Sequence, residues 1–229
     1  MKVLIIIPAY NEEQSIEKVV ESVRAKCKDA DFIVVNDGSS DGTSDICREK
    51  GYKILNLPVN LGLAGAFQTG IRYAYEHDYD VAVQIDGDGQ HEPLFIDDMV
   101  KCMTEENADI VIGSRFVNKE KPFTARMLGS RLLSFAIKTT TGCKINDPTS
   151  GMRAYSKKMI GILAENINFG PEPDTIAFLI RNGAKIKEIQ VEMYERETGK
   201  SYFTAGKSAR YMINMFISIY FVQFFRRSI

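Results

Sequence analysis

Apolar positions along this chain fall into short unbroken runs, separated by stretches where they recur every third or fourth residue. Val3 to Ile7 is a five-residue apolar run, the pattern of a buried strand. Pro8 is expected to end its ladder, having no N–H to give. Ile16, Val19, Val20 and Val23 then recur at helical spacing, behind Asn11 or Ser15 as cap. Phe32 to Val35 predicts a second strand, Thr43 to Glu49 a short helix and Tyr52 to Leu57 a third strand. Asn60-Leu61-Gly62-Leu63-Ala64-Gly65-Ala66 leads into a helix through Tyr75, and the β-branched run Val81, Val83, Ile85 follows. Pro93 to Met103 predicts a helix and Asp109 to Gly113 a strand. Such alternation implies an α/β fold with a doubly wound, mainly parallel sheet flanked by helices.

The second half is less regular. Residues Asn118 to Pro122 are expected to form a mobile loop, followed by a helix over Met127 to Lys138. On that helix Arg131 and Lys138 share one face, while Leu128, Leu132 and Phe135 line another. A turn at Asp147-Pro148-Thr149-Ser150-Gly151 precedes a strand over Met152 to Tyr155. A helix over Thr175 to Asn182 and a strand over Lys185 to Val191 complete the expected core.

Composition narrows the classes. The 229 residues suffice for one α/β domain, expected over 1–200, with a C-terminal helical segment over 201–229. Hydrophobic residues make up 45% and charged ones 26%, which is ordinary for a globular chain. A net charge of −1 gives no overall basic field, so nucleic acid is not an expected partner. Cys27, Cys47, Cys102 and Cys143 are scattered, which argues for reduced thiols and against zinc or a disulfide framework. His77 and His91 alone supply a histidine metal site or a Ser-His triad poorly. The N-terminal apolar run is too short for the core of a signal peptide. It leads into Pro8-Ala9-Tyr10-Asn11-Glu12-Glu13 rather than G-x-G-x-x-G, which disfavours a dinucleotide-binding oxidoreductase.

The chemistry gathers after the strands. Asp86 and Asp88 flank Gly87 at a strand's carboxyl end, where open α/β sheets bind ligands. Such a pair suits a hard divalent cation that can bridge phosphate oxygens. The plainer alternative is an Asp-Gly turn whose carboxylates bond their own backbone.

Five ordered motifs sharpen this: PAYNEE from Pro8, VVNDGSSDGT at 34–43, QIDGDGQH at 84–91, IGSR at 112–115 and DPTSGMRAY at 147–155. With them the chain resembles the family 2 glycosyltransferases of the GT-A fold over residues 3 to 200. Within that family it is most similar to the polyprenyl-phosphate, dolichyl-phosphate mannosyltransferase-like group. The resemblance implies donor binding by Pro8, Tyr10, Glu12 and Asp37, with Asp37 accepting from the nucleobase. For Asp37 the alternative is a turn aspartate that caps the next helix. Asp86, Asp88 and Gln90 would hold Mg²⁺ or Mn²⁺ against the donor diphosphate, and Gly87 and Gly89 would admit the phosphates closely. Asp86, Asp88 and Arg115 are thus the expected catalytic set. Arg115, Arg131 and Arg153 would bind the acceptor phosphate, although Arg153 could equally pair with Asp147. Arg196 and Ser201 match an element that closes over the donor, with Lys200 sharing the role.

The acceptor implied is a polyprenyl phosphate, whose second pKa of about 6 leaves its oxygen anionic near neutral pH. No general base is then needed, and direct displacement with inversion is expected; Asp147 is the fallback base for a sugar acceptor. Pro171-Glu172-Pro173 resembles the bacterial subgroup that uses UDP-GlcNAc, and this resemblance implies UDP-GlcNAc or UDP-glucose as donor rather than GDP-mannose. Residues 212–225 are mostly apolar but span only about 21 Å as a helix, short of a bilayer core of ~30 Å. Lys207, Arg210, Asn214 and Ser218 share one side, the pattern of a helix lying in the membrane interface, and the expected location is the cytoplasmic face of the cell membrane. Packing of that helix on the domain or on another subunit is the alternative. A small membrane-protein partner and a homo-oligomer are also expected. The rival functions are a same-fold transferase acting on a sugar acceptor and a non-catalytic nucleotide-sugar-binding membrane scaffold.

Overall fold

The computed structural model describes residues 1–166, 169–194, 205–222 and 225–226, apart from the side chains of 125, 126 and 205–209. The first half alternates strictly: β1 (Val3–Ala9), α1 (Ile16–Lys26), β2 (Asp31–Asn36), α2 (Thr43–Glu49), β3 (Ile54–Asn56), α3 (Gly62–Glu76) and β4 (Val81–Gln84). The second half adds α4 (Phe95–Glu105), β5 (Ile110–Ser114), α5 (Ala125–Thr141), β6 (Arg153–Ser156), α6 (Lys157–Glu165), α7 (Pro173–Arg181), β7 (Ile186–Gln190) and α8 (Ala205–Ile217). A π-helical turn over Ser218–Val222 follows α8. The helix α6 was not expected from the sequence.

The seven strands form one sheet in the order β3-β2-β1-β4-β6-β5-β7. Six strands are parallel, as the alternation predicts, and β6 runs antiparallel to both β4 and β5. Strand β1 shows why its sequence is continuously apolar. Leu4 and Ile6 enter the core beneath α3, α5, α6 and α7, whereas Val3, Ile5 and Ile7 enter the core beneath α1 and α4. Period-two alternation with both faces covered leaves no polar position.

Chain order reverses between β1 and β4, which is the topological switch point. Pro8 lies inside β1, opposite Val35 of β2, so the expected end of the strand is corrected. Ala9 O accepts from Asp37 N and Ile6 O from Ile85 N, so alternate residues face opposite neighbours. Pro8 therefore turns its missing donor toward β4, where pairing has already stopped at Ile6–Gln84. The proline ends the ladder on one side only, and a crevice opens there.

The C-terminal segment both packs and projects. Ser218 is buried against Asp174 (2.6 Å), and Arg226 reaches the same carboxylate at 3.0 Å. The expected polar stripe is thereby broken: Arg210 and Asn214 face outward, Ser218 inward. The π turn beginning at Ser218 resets the helical period at that point. No described helix is long and apolar enough to cross a membrane.

Candidate active site

Loops from the carboxyl ends of β1, β2 and β4 are sewn together at the crevice. Asn11, at φ +54°, donates its N–H to Ser39 Oγ and accepts from Ser40 N, both at 2.9 Å. Ser15 stands at the N-cap position of α1, but its hydroxyl bonds Glu12 Oε2 (2.8 Å) and Gly87 O (2.9 Å) instead of capping. The PAYNEE, NDGSSDG and DGDGQH segments therefore form one continuous wall. Pro8 is buried within it and Tyr10 is exposed.

Asp37 is buried, and Oδ1 accepts from Leu61 N at 2.7 Å. That bond ties Asp37 to the residue preceding α3, and Asp41 rather than Asp37 takes Thr43 N at the start of α2 (3.0 Å). Burial raises the Asp37 pKa, an effect partly offset by the backbone donors of Leu61 and Gly62. The expected base contact would fall to the second oxygen.

In the 86–91 loop, expected to hold a metal, Asp86 is held from below. His91 is buried, and its Nδ1 accepts from Asp86 N at 2.9 Å while Nε2 stands 3.8 Å from Asp86 Oδ2. The accepting Nδ1 sets the tautomer, leaving the ring proton on Nε2. A Cβ on Gly151 would meet Asp86 Oδ2 at 2.5 Å, so the DPTSG turn leaves room for that carboxylate by having no side chain there. A Cβ on Gly87 would lie 2.9 Å from Pro8 O: this glycine admits protein backbone, where a role toward phosphate was expected. Asp88 Oδ1 accepts from Gln90 N (3.1 Å) and Gln90 Nε2 donates to Tyr194 O (3.2 Å), so the amide oxygen is the end of Gln90 that could ligate a metal. Among the described residues no three His, Cys, Asp or Glu side chains gather as a ready-made metal cage. The donor set is oxygen only, with two carboxylates, and fits an Mg²⁺- or Mn²⁺-like ion that completes its shell from phosphate and water.

Across the DPTSG turn lies a cationic cluster. Asp147 is fully buried and receives Arg115 Nε at 2.7 Å, Nη2 at 2.9 Å and the Arg115 backbone N–H at 3.2 Å. Burial alone would push its carboxyl up, but the Arg115 hydrogen bonds and charge outweigh burial and hold the pKa below the usual value. Lys121, which the sequence left in a mobile loop, is anchored by Ser130 Oγ (2.9 Å) and Ser134 Oγ (3.2 Å) of α5. Burial lowers its pKa, partly opposed by the fields of Asp147 and Glu188. Arg131 donates to Lys121 O and stacks over Phe123, 4.5 Å from the ring centroid. Arg115, Lys121 and Arg131 thus converge; the only signal for Lys121 was the Ser130–Ser134 pair at helical spacing on α5.

Arg153 is corrected. At 1% exposure it neither faces an acceptor nor pairs with Asp147; it donates to Ser150 O (2.9 Å) and Pro148 O (2.8 Å), holding the turn. Because β6 runs backwards, Arg153 enters the sheet opposite Gln84, and Arg115 takes the carboxylate. Arg196, Lys200 and Ser201 lie outside the described residues. The segment before them is clamped to the 86–92 loop, through Tyr194 N to Gln90 O (2.8 Å) and Tyr194 Oη to Glu92 (2.9 Å).

Comparison with known proteins gives the family and the fold. Residues 4–162 match the family model described as "Glycosyl transferase family 2". The chain is 31% identical to the undecaprenyl-phosphate mannosyltransferase of Micrococcus luteus, over 94% of this chain and 93% of that one. It is 34% identical to the UDP-N-acetylglucosamine–dolichyl-phosphate N-acetylglucosaminyltransferase of Methanococcus voltae, over 72% of this chain and 73% of the other. Among solved structures, the glucosyl-3-phosphoglycerate synthase of Mycobacterium tuberculosis with Mn²⁺, UDP and phosphoglyceric acid superposes with a TM-score of 0.69. It shares 22% identity, over 95% of this chain and 78% of that chain, and so the GT-A fold.

Proposed function

The chain belongs to glycosyl transferase family 2, and on that premise we propose that it moves a sugar from a nucleotide-sugar to a polyprenyl phosphate, with undecaprenyl phosphate the favoured acceptor, for cell-envelope glycan assembly. The observation that carries this is the state of Asp147. It is the one carboxylate that sequence reasoning held in reserve as a base, and it is locked in a fork-to-fork pair with Arg115. A carboxylate held low in pKa is a poor proton acceptor near neutral pH. The three cations around it suit an acceptor that arrives already ionised, as a phosphate does.

In this reading Pro8, Tyr10, Glu12 and Asp37 seat the nucleoside, and Asp86, Asp88 and Gln90 hold a divalent ion against its diphosphate. That ion, when bound, neutralises charge on the departing nucleoside diphosphate. Arg131 and Lys121 fix the acceptor phosphate, and Arg115 adds charge and its remaining Nη1 donors, because Nε and Nη2 already serve Asp147. A phosphate oxygen forms the new bond to the anomeric carbon as the bond to the diphosphate breaks, so configuration inverts and no proton moves. UDP-GlcNAc or UDP-glucose remains the favoured donor over GDP-mannose. The relatives named above include both a mannosyl and an N-acetylglucosaminyl enzyme.

The test is transfer of label from a panel of UDP- and GDP-sugars into an organic-extractable product. Membranes with undecaprenyl phosphate are supplied, with and without EDTA, and with Asp88→Ala as control. A metal-dependent, mild-acid-labile, inverted lipid product supports the proposal and names the sugar. Metal-dependent transfer to a sugar hydroxyl, or a lipid product of retained configuration, overturns it.

A further inference from the structure

The sequence assigned the bilayer contact to the C-terminal helix alone, whereas the structure places a second apolar face beside it. Leu128, Leu132 and Phe135 of α5 are exposed, Phe135 by 60%. On the neighbouring element Ile213, Ile217 and Phe221 are exposed as well, Phe221 by 62%. The two stripes run along one seam. Thr139, next on the α5 stripe, bonds Tyr220 Oη at 2.6 Å, and a Cβ on Gly129 would meet the Met212 side chain at 3.0 Å. Glycine at that crossing lets the two helices approach closely.

Charge selects the occupant. Residues 121–146 contain five Lys or Arg and no Asp or Glu, and residues 198–229 again contain five and none. This occurs in a chain whose net charge is −1. Among the described side chains, Lys138 and Arg210 are exposed on these helices. A second copy would bring like charge against like, whereas an anionic lipid surface matches both the cations and the apolar side chains.

We propose that α5 and α8 with its π turn form one composite docking face for an anionic bilayer. This face would lay the Arg131–Lys121 cluster, on and beside α5, at headgroup level. The inference deepens the proposed function and rests on a lipid-borne acceptor, but its test is read separately from sugar transfer.

The experiment is co-sedimentation of the full chain, without nucleotide-sugar, on phosphatidylglycerol/phosphatidylcholine vesicles and on phosphatidylcholine alone. Wild type is compared with Leu132→Ser/Phe135→Ser and with Leu132→Met/Phe135→Leu, thermal unfolding confirming that these exposed changes leave the fold intact. The serine pair should weaken binding to anionic vesicles by about tenfold or more, and the apolar pair should restore it. Binding should also fall without phosphatidylglycerol or in high salt. Undiminished binding by the serine variant, or binding indifferent to lipid charge, overturns the composite face. So does a wild-type dimer that the serine pair dissolves while vesicles bind neither form. Transfer to a water-soluble short-chain prenyl phosphate should be unchanged in the serine pair. If vesicles bind as expected but no phosphate acceptor is used, the proposed function fails and the docking face stands.

Discussion

Arg115 and Asp147 meet fork to fork, Nε and Nη2 against the two carboxylate oxygens at 2.7 and 2.9 Å, with the arginine's own backbone N–H closing on Oδ2. The pair joins the end of β5 to the turn that enters β6. Asp147 is fully enclosed while Arg115 keeps 22% of its side chain exposed, so the contact has one dry end and one wet end.

Asp147→Ala leaves the pair broken inside the protein, and urea denaturation at neutral pH should show a loss of about 3–5 kcal/mol. Because the folded carboxyl titrates below the ordinary aspartate value of about 3.9, its contribution is present above that pH and disappears as pH falls through the folded value. Asp147→Asn should therefore flatten the acid limb of the stability profile. An unchanged acid limb would show that the pair does not govern it.

Glu172 has the opposite sign. Burial raises its pKa more than the Tyr211 hydroxyl and Arg153 lower it, so stability is lost as pH rises from about 4.3 through the raised value. Glu172→Gln keeps an acceptor for Tyr211 without the charge, and should be at least as stable as wild type at pH about 8. Clear destabilisation at that pH would count against a costly buried charge.

His91 fixes Asp86 through an acceptor nitrogen, and an asparagine oxygen can take the Nδ1 place. His91→Leu should weaken Mn²⁺ binding by about 10–100-fold, followed by electron paramagnetic resonance, while His91→Asn recovers much of it. Wild-type Mn²⁺ affinity in His91→Leu would show that His91 does not position Asp86.

Gly151→Ala drives a methyl group to within 2.5 Å of Asp86 Oδ2. Displacement of that carboxylate should lower turnover by about a hundredfold and weaken Mn²⁺ binding, with the melting temperature little changed. A variant with normal metal affinity would show that the turn can yield.

Cys27 and Cys47 are buried, and burial pushes both thiols up to about 11. Titration with a disulfide reagent on the folded protein should modify exposed Cys143 first and these two only on unfolding.

The strand-ending acids at Asp37, Asp86 and Asp88 were legible because turn residues interrupt strongly β-branched runs, and position at a carboxyl edge carries meaning on its own. The layering was legible too, since a continuous apolar run such as Val3–Ile7 is compatible only with two covered faces. Strand direction was not. Arg153-Ala154-Tyr155-Ser156 has the same period forwards or backwards, so nothing local says that β6 is reversed. That one ambiguity concealed which arginine Asp147 would receive. Lys121 was hidden for another reason: the helix carrying Ser130 and Ser134 was expected, but nothing local shows that the preceding loop folds Lys121 back onto them. Ser218 was assigned outward because the 3.6-residue period was carried through a turn that does not keep it.

Reversal of β6 also makes the two edges of the sheet unequal in their tolerance of change. A parallel strand is entered from the far edge, but β6 is entered from the same edge at which β1, β2 and β4 finish, so the 147–151 turn is pressed between Asp86 and Arg115. Loops at the opposite edge, such as 27–30 and 106–109, touch neither group. Residues inserted there should be accommodated, whereas a single residue added within 147–151 would move Asp86 and the cationic cluster together. The Asp86 loop and the Arg115–Lys121–Arg131 cluster are therefore free to diverge in sequence, but not in their spacing.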